Sequence, residues 1–147
     1  MVLQACISSN AKDDAIEIDE KSFSLCLAKD SIKAYPYSSL EYKGHQRALR
    51  NDLMTQLKNK DIKFSDGYLF VSYYINCKGE SGNFQVDGMD LNYKEKTFEK
   101  EILQSVQTEI ENLSKWKLPY NKSGETLDAA YSITFKFKDD TIEKIIL

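Results

Sequence analysis

One histidine, two prolines, six glycines and a single tryptophan in 147 residues leave this sequence poor in the residues on which most catalytic motifs are built. His45 is the only imidazole that a nucleophile could use as its base, and no serine sits in a G-x-S-x-G elbow. A lone histidine near a helix start, with Glu41 close by and no second imidazole, is most often a surface or capping residue, so we assign it no role. Gly79-Glu80-Ser81-Gly82 is too short for a phosphate loop and lacks its lysine; it reads as a turn. The acidic groups Asp13-Asp14, Glu17-Asp19-Glu20 and Asp87-Gly88-Met89-Asp90 lack the spacing of a calcium loop and read as solvated charge. The expectation is a protein without cofactor or metal, and not an enzyme. No apolar run approaches the roughly 20 residues of a membrane-spanning helix or forms a signal-peptide core. Charge is mixed, net −3, with no basic patch, which argues against a nucleic-acid partner.

What is present is patterned for packing. At 147 residues, 41% of them hydrophobic and nine of them tyrosine, the chain is long enough for one domain with a real core and too short for two. In Gly67–Ile75, Leu69, Val71, Tyr73 and Ile75 alternate with Phe70, Ser72 and Tyr74, the period of a strand with one buried face. A polar linker with two glycines leads to a second short strand, Asn83–Val86, so a hairpin with a loop longer than two residues is expected. Thr97 can cap a helix in which Phe98, Ile102, Val106, Ile110 and Leu113 recur at helical spacing. An earlier helix, marked by Leu49, Leu53 and Leu57, starts at about Ser38 or Gly44 and ends near Asn59. Ile133, Phe135 and Phe137 alternate with Thr134, Lys136 and Lys138 in a last long strand. Asp139-Asp140 then reads as a two-residue turn, with Thr141–Leu147 folding back as a hairpin partner. Leu69, Val71, Tyr73, Ile75, Phe84, Val86, Ile102, Val106, Ile110, Ile133, Phe135 and Phe137 should share one core. The fold class is α+β, two helices on one face of an antiparallel sheet of three or more strands. Residues 7–15 read as a polar tether. Alternation at Ile16 and Ile18, then at Phe23, Leu25 and Leu27, suggests one or two further strands, so residues 1–30 form an N-terminal extension to a domain at 31–147.

The order strand, strand, helix, Trp-Pro segment, strand resembles the C-terminal domain of the TonB family. The shared marks are Tyr35-Pro36 ahead of the first helix and the glycine before a V-x-Y-x-I strand. They continue in the Asn76-Cys77-Lys78-Gly79-Glu80 turn, Trp116-x-x-Pro119, and the aromatic strand Ser132-Ile-Thr-Phe-Lys-Phe. The resemblance implies a non-enzymatic module of the periplasm or cell envelope. It would engage an extended peptide of an outer-membrane receptor by strand addition in energy-coupled transport. The implied contact strand is Ser132, Ile133, Thr134, Phe135, Lys136, Phe137 and Lys138. Its lysines would discourage edge-to-edge aggregation and attract an acidic partner. Trp116 reads as a plug over the sheet rather than a recognition anchor. With Thr141–Leu147 lying on that edge, binding would require displacing this segment or exchanging it in a strand-swapped homodimer.

A complete transducer of that family carries a membrane anchor and a Pro-rich spacer, and this chain has no Pro-rich stretch. It is therefore read as a C-terminal piece or as a free-standing relative. Leu3-Gln4-Ala5-Cys6, followed by a polar run, looks like a lipobox, with Cys6 as the lipid-bearing residue and the only link to a membrane; an unremarkable N-terminus is the equal alternative. If Cys6 carries lipid, Cys26 and Cys77 remain as a disulfide pair in an oxidising compartment, or as two separate buried thiols. The rival function is a free-standing envelope lipoprotein that binds another envelope protein or a cell-wall component.

Overall fold

The computed structural model describes residues 22–28, 31–32 and 39–147. The remaining residues include Cys6, the tether, Ile16 and Ile18, and Tyr35-Pro36, so the readings on them lie outside the described residues.

The elements follow the order β1 (Glu41–Tyr42), α1 (His45–Lys58), β2 (Gly67–Ile75), β3 (Ser81–Met89), α2 (Lys100–Glu111), β4 (Trp116–Lys117), β5 (Ala129–Lys138) and β6 (Thr141–Ile146). The fold is α+β. The main sheet is antiparallel with strand order β3-β2-β5-β6, and β1 pairs with β4 in a separate two-stranded sheet. Period-two patterning decides the main sheet's two faces. Leu69, Val71, Tyr73 and Ile75 of β2 lie beside Phe135, Ile133, Tyr131 and Ala129 of β5, and all eight are buried. Against this face pack Leu49, Leu53 and Leu57 of α1 and Ile102, Val106 and Ile110 of α2, in one continuous core. The periodicity of both helices is therefore a burial stripe. Glu109, almost buried on α2, is matched by the Lys60 ammonium at 2.9 Å, as a carboxylate withdrawn from water requires.

Two glycines are there because nothing larger fits. Gly67 enters β2 at φ 146°, where a Cβ would lie 2.4 Å from the Met89 carbonyl oxygen. Gly82 lies flat under the Phe23 ring, which a Cβ would penetrate.

Four expectations need correction. Phe23, Leu25 and Leu27 do not form a strand; residues 22–28 are irregular and bend at Cys26 and Leu27, because a disulfide and a buried carboxylate hold them instead. The second strand is longer than Asn83–Val86 and runs from Ser81 to Met89. Val86 is not core: it is 45% exposed on the sheet edge, while Phe84 is only partly buried. Thr97 does not cap α2; Glu99 holds that position, without a side-chain cap bond, and Phe98 packs into the core ahead of the helix. The turn after β5 forms where the sequence places it, with Asp139 at φ 53° and Asp140 at φ 60°. That is the left-handed pair a tight two-residue hairpin needs.

Candidate functional site

The strand Ser132–Lys138 is built into β5, flanked by β2 on one side and β6 on the other. Pairing with β6 covers Thr134 to Lys138, from Thr134↔Ile146 to Lys138↔Thr141, whereas Ser132 and Ile133 lie beyond the last pair. Ile133, Phe135 and Phe137 point into the core. Ser132, Thr134, Lys136 and Lys138 stand on the opposite face, which no helix covers among the described residues. The sheet edge itself is β6, and it is pinned. Arg50 Nε on α1 donates to the Ile145 carbonyl at 3.0 Å, and the Phe64 amide donates to the Asp140 carbonyl at 3.4 Å.

The helix-free face carries aromatic side chains in a row. Tyr68 and Phe70 stack with centroids 6.5 Å apart, and Tyr93 stacks on Tyr68 at 5.5 Å. The Lys136 ammonium lies 5.8 Å from the Tyr68 ring centre and pairs with Glu143. Its hydrogen bond to that carboxylate raises the lysine pKa and lowers that of Glu143. Tyr93 is 70% exposed at φ 63°, in a turn built by Asp90. The Asp90 carboxylate accepts the amides of Asn92 and Lys94 at 2.8 and 3.0 Å. One face of the Tyr93 ring lies on Tyr68 and the rest stands in solvent.

At the far end of β2 a second cluster ties the N-terminal segment to the sheet. Cys26 and Cys77 form a disulfide, their Cα atoms 6.1 Å apart. Beside it the buried Asp128 carboxylate accepts the Leu27 amide at 2.6 Å and the Cys77 amide at 2.7 Å. Asn76, also buried, donates to the Ser24 carbonyl and to Glu80, and its side-chain oxygen takes the amides of Lys78 and Glu80. Cys26, Cys77 and Asp128 are close enough to suggest metal ligands, but both sulfurs are committed to one another.

A third feature is an aromatic corner. Trp116 packs edge-on against Tyr42 (5.0 Å) and Tyr131 (5.1 Å), beside a cavity of about 330 Å³ that His45 and Leu49 also line. The Tyr42 hydroxyl donates to Asp52 at 2.7 Å, and Lys115 approaches the same carboxylate at 2.8 Å. Lys115 and Tyr42 together lower the Asp52 pKa, while burial and then Asp52 itself raise that of Tyr42. Trp116 is the plug that its position after α2 suggests, half-buried over Tyr131.

Sequence reasoning picked out the strand, the three cysteines and the turn that begins at Asn76, but missed Arg50, Asp128 and Tyr93. For Tyr93, the Asp90-x-Asn92 turn chemistry was a usable signal; for Arg50 and Asp128 there was none. No helix of the described residues is long and apolar enough to cross a membrane, which leaves β-barrels unaddressed. No protein-family profile, curated protein or solved structure matches this chain.

Proposed function

We propose that this protein is a non-enzymatic binding module of the bacterial cell envelope, similar to TonB C-terminal domains. It would take an extended peptide of an outer-membrane receptor by strand addition in energy-coupled transport. The observation that carries this reading is the β5–β6 hairpin. Its outer strand has six residues and stops short of Ser132, so a peptide can extend or replace β6 along β5 and recover the same backbone hydrogen bonds. The disulfide supports an oxidising compartment, the setting in which such bonds persist. Where the peptide replaces β6, the open form must be populated first, so holding β6 down lowers the apparent affinity.

The test titrates receptor-box peptides against the parent protein, a form lacking residues 141–147, and Arg50→Gln. Both changes should tighten binding, the truncation more. Ile142 and Ile145 are core residues, so the truncated form can lose its fold; Arg50→Gln keeps the core and reads the same step. Unchanged affinity in a folded Arg50→Gln variant would reject gating by β6, and absence of binding in every form would reject the module.

The aromatic row favours a second reading, a free-standing envelope lipoprotein that binds a cell-wall component or another envelope protein. The exposed Tyr93 ring, stacked on the half-buried Tyr68 beside Lys136, suits glycan or peptide contacts. Co-sedimentation with peptidoglycan, lost in Tyr93→Ala, would select it.

A further inference from the structure

The two edges of the main sheet are treated differently. On β6 the exposed Glu143 and Lys144 project from the strand, and Arg50 and Phe64 occupy the Ile145 and Asp140 carbonyls. These are the usual defences of an edge against another strand. On β3 the outer edge is closed, among the described residues, only at its C-terminal end. There the Lys96 amide donates to the Gly88 carbonyl at 2.9 Å and the Asp90 amide to the Lys94 carbonyl at 2.8 Å.

Because the Gly88 carbonyl faces away from β2, strand alternation turns the N–H and C=O groups of Val86 and Phe84 the same way. No described backbone group pairs with them there. This window, Asn83–Asp87, contains no lysine, arginine or proline. Val86 lies 45% exposed within it, beside the partly buried Phe84. Its limits are physical: Lys96 closes one end, and at the other the β2–β3 register shifts by a bulge, where Asn83 adopts φ 53° and bends the strand.

We propose that Asn83–Asp87 is a self-association edge, on which β3 of a second copy of this chain pairs antiparallel about a two-fold axis through Gln85. The side chains choose this occupant. With Gln85 opposite Gln85 of the second copy, Phe84 faces its Val86 and Val86 faces its Phe84. Both apolar pairs lie on the core side of the sheet, and each exchanges both backbone hydrogen bonds. Asp87 meets Asn83, so no like charges are opposed. The two glutamine amides meet on the helix-free face, each able to donate to the other. The result is an isologous dimer with one continuous sheet. A five-residue window buries little area, so the dimer is weak, with a dissociation constant on the order of 0.1 mM, as expected below the standard interface size.

Sedimentation equilibrium of the full chain from about 10 µM to about 1 mM tests this, read with hydrogen exchange at the Phe84 and Val86 amides. Dimerisation should appear across that range, and both amides should gain protection as concentration rises. Gln85→Lys and Gln85→Glu lie on an exposed side chain and leave the fold alone. Each alone should weaken association at least tenfold, by placing like charges on the axis. An equimolar mixture of the two should associate at least as tightly as the parent. A parent that stays monomeric at 1 mM overturns the proposal. So does a dimer indifferent to Gln85→Lys, or a mixture that fails to recover association.

Discussion

Arg50, on the first helix, donates from Nε to the Ile145 carbonyl of the edge strand at 3.0 Å, across 95 residues of sequence. This one side chain couples the helix layer to the last strand and fills a carbonyl that an incoming chain would need. Its removal leaves the acceptor to water and frees the end of the strand. Arg50→Ala should cost about 1.5–3 kcal/mol, the range for a hydrogen bond from a charged donor. Amide exchange should accelerate in Thr141–Ile146 before it does in β2. Uniform acceleration through the sheet would show that the contact supports global stability alone.

The disulfide closes a loop between residues 51 positions apart, and Asp128 holds the amides on both sides of it. Converting Cys26 and Cys77 together to serine should lower stability by about 2–4 kcal/mol in urea titrations. Asp128→Ala leaves the disulfide in place but strands two amides, and should cost about 2 kcal/mol or more. An Asp128→Ala variant as stable as the parent would mean that the covalent bond alone positions residues 22–28.

Val106 and Phe135 are 1% and 0% exposed and meet the same core from the helix and the sheet. Truncation of either to alanine should cost about 2–5 kcal/mol, from lost transfer energy plus the cavity left behind. Values within experimental noise for both would contradict the face assignments of α2 and β5.

Asp52 contributes a pH dependence of definite sign. Lys115 and Tyr42 depress its pKa in the folded state, so folding favours the charged form. That contribution is present above the ordinary carboxylate pKa and disappears as pH falls through the lowered folded value. Glu99 and Glu143, both also lowered, act in the same direction. Between about pH 6 and pH 2 the parent should therefore lose more thermal stability than Asp52→Asn. Parallel Tm profiles for the two would show that the Lys115 and Tyr42 contacts add nothing in solution.

The legible parts of this fold were those specified over short distances. Alternation from Leu69 to Ile75 gave β2 and its buried face, the 3.6-residue spacing of Ile102, Val106 and Ile110 gave the helix stripe, and a pair of aspartates gave the final turn. Local pattern misled where a distant partner outweighed it. Phe23, Leu25 and Leu27 alternate like a strand, yet Asp128, 101 residues from Leu27, and the bond to Cys77 set their course. Val86 carries the correct period for the core but lies on a stretch of β3 whose outer side meets no backbone partner among the described residues. Periodicity reports which face a residue occupies, not whether anything covers that face at the edge. The candidate binding strand was legible for a related reason, since Ser132–Lys138 shows its two faces in sequence, whereas the contacts that pin β6 over it come from α1 and from Phe64.

The final turn offers the clearest test of stored backbone strain. Asp139 and Asp140 both sit at positive φ, a region that costs an L-residue about 1 kcal/mol and glycine almost nothing. Asp139 is compensated, because its amide donates to the Asp66 carboxylate at 2.9 Å. Asp140 offers Phe64 only its backbone carbonyl, which glycine would keep. Asp140→Gly should therefore raise stability by about 0.5–1 kcal/mol, relief of strain outweighing the added freedom of the unfolded chain. Asp140→Val, β-branched and poorly suited to this conformation, should lower it by about 1 kcal/mol or more. If chemical denaturation found the glycine variant no more stable than the parent, the left-handed geometry of Asp140 would carry no net cost, and the hairpin would owe its register to the Ile142 and Ile145 contacts alone.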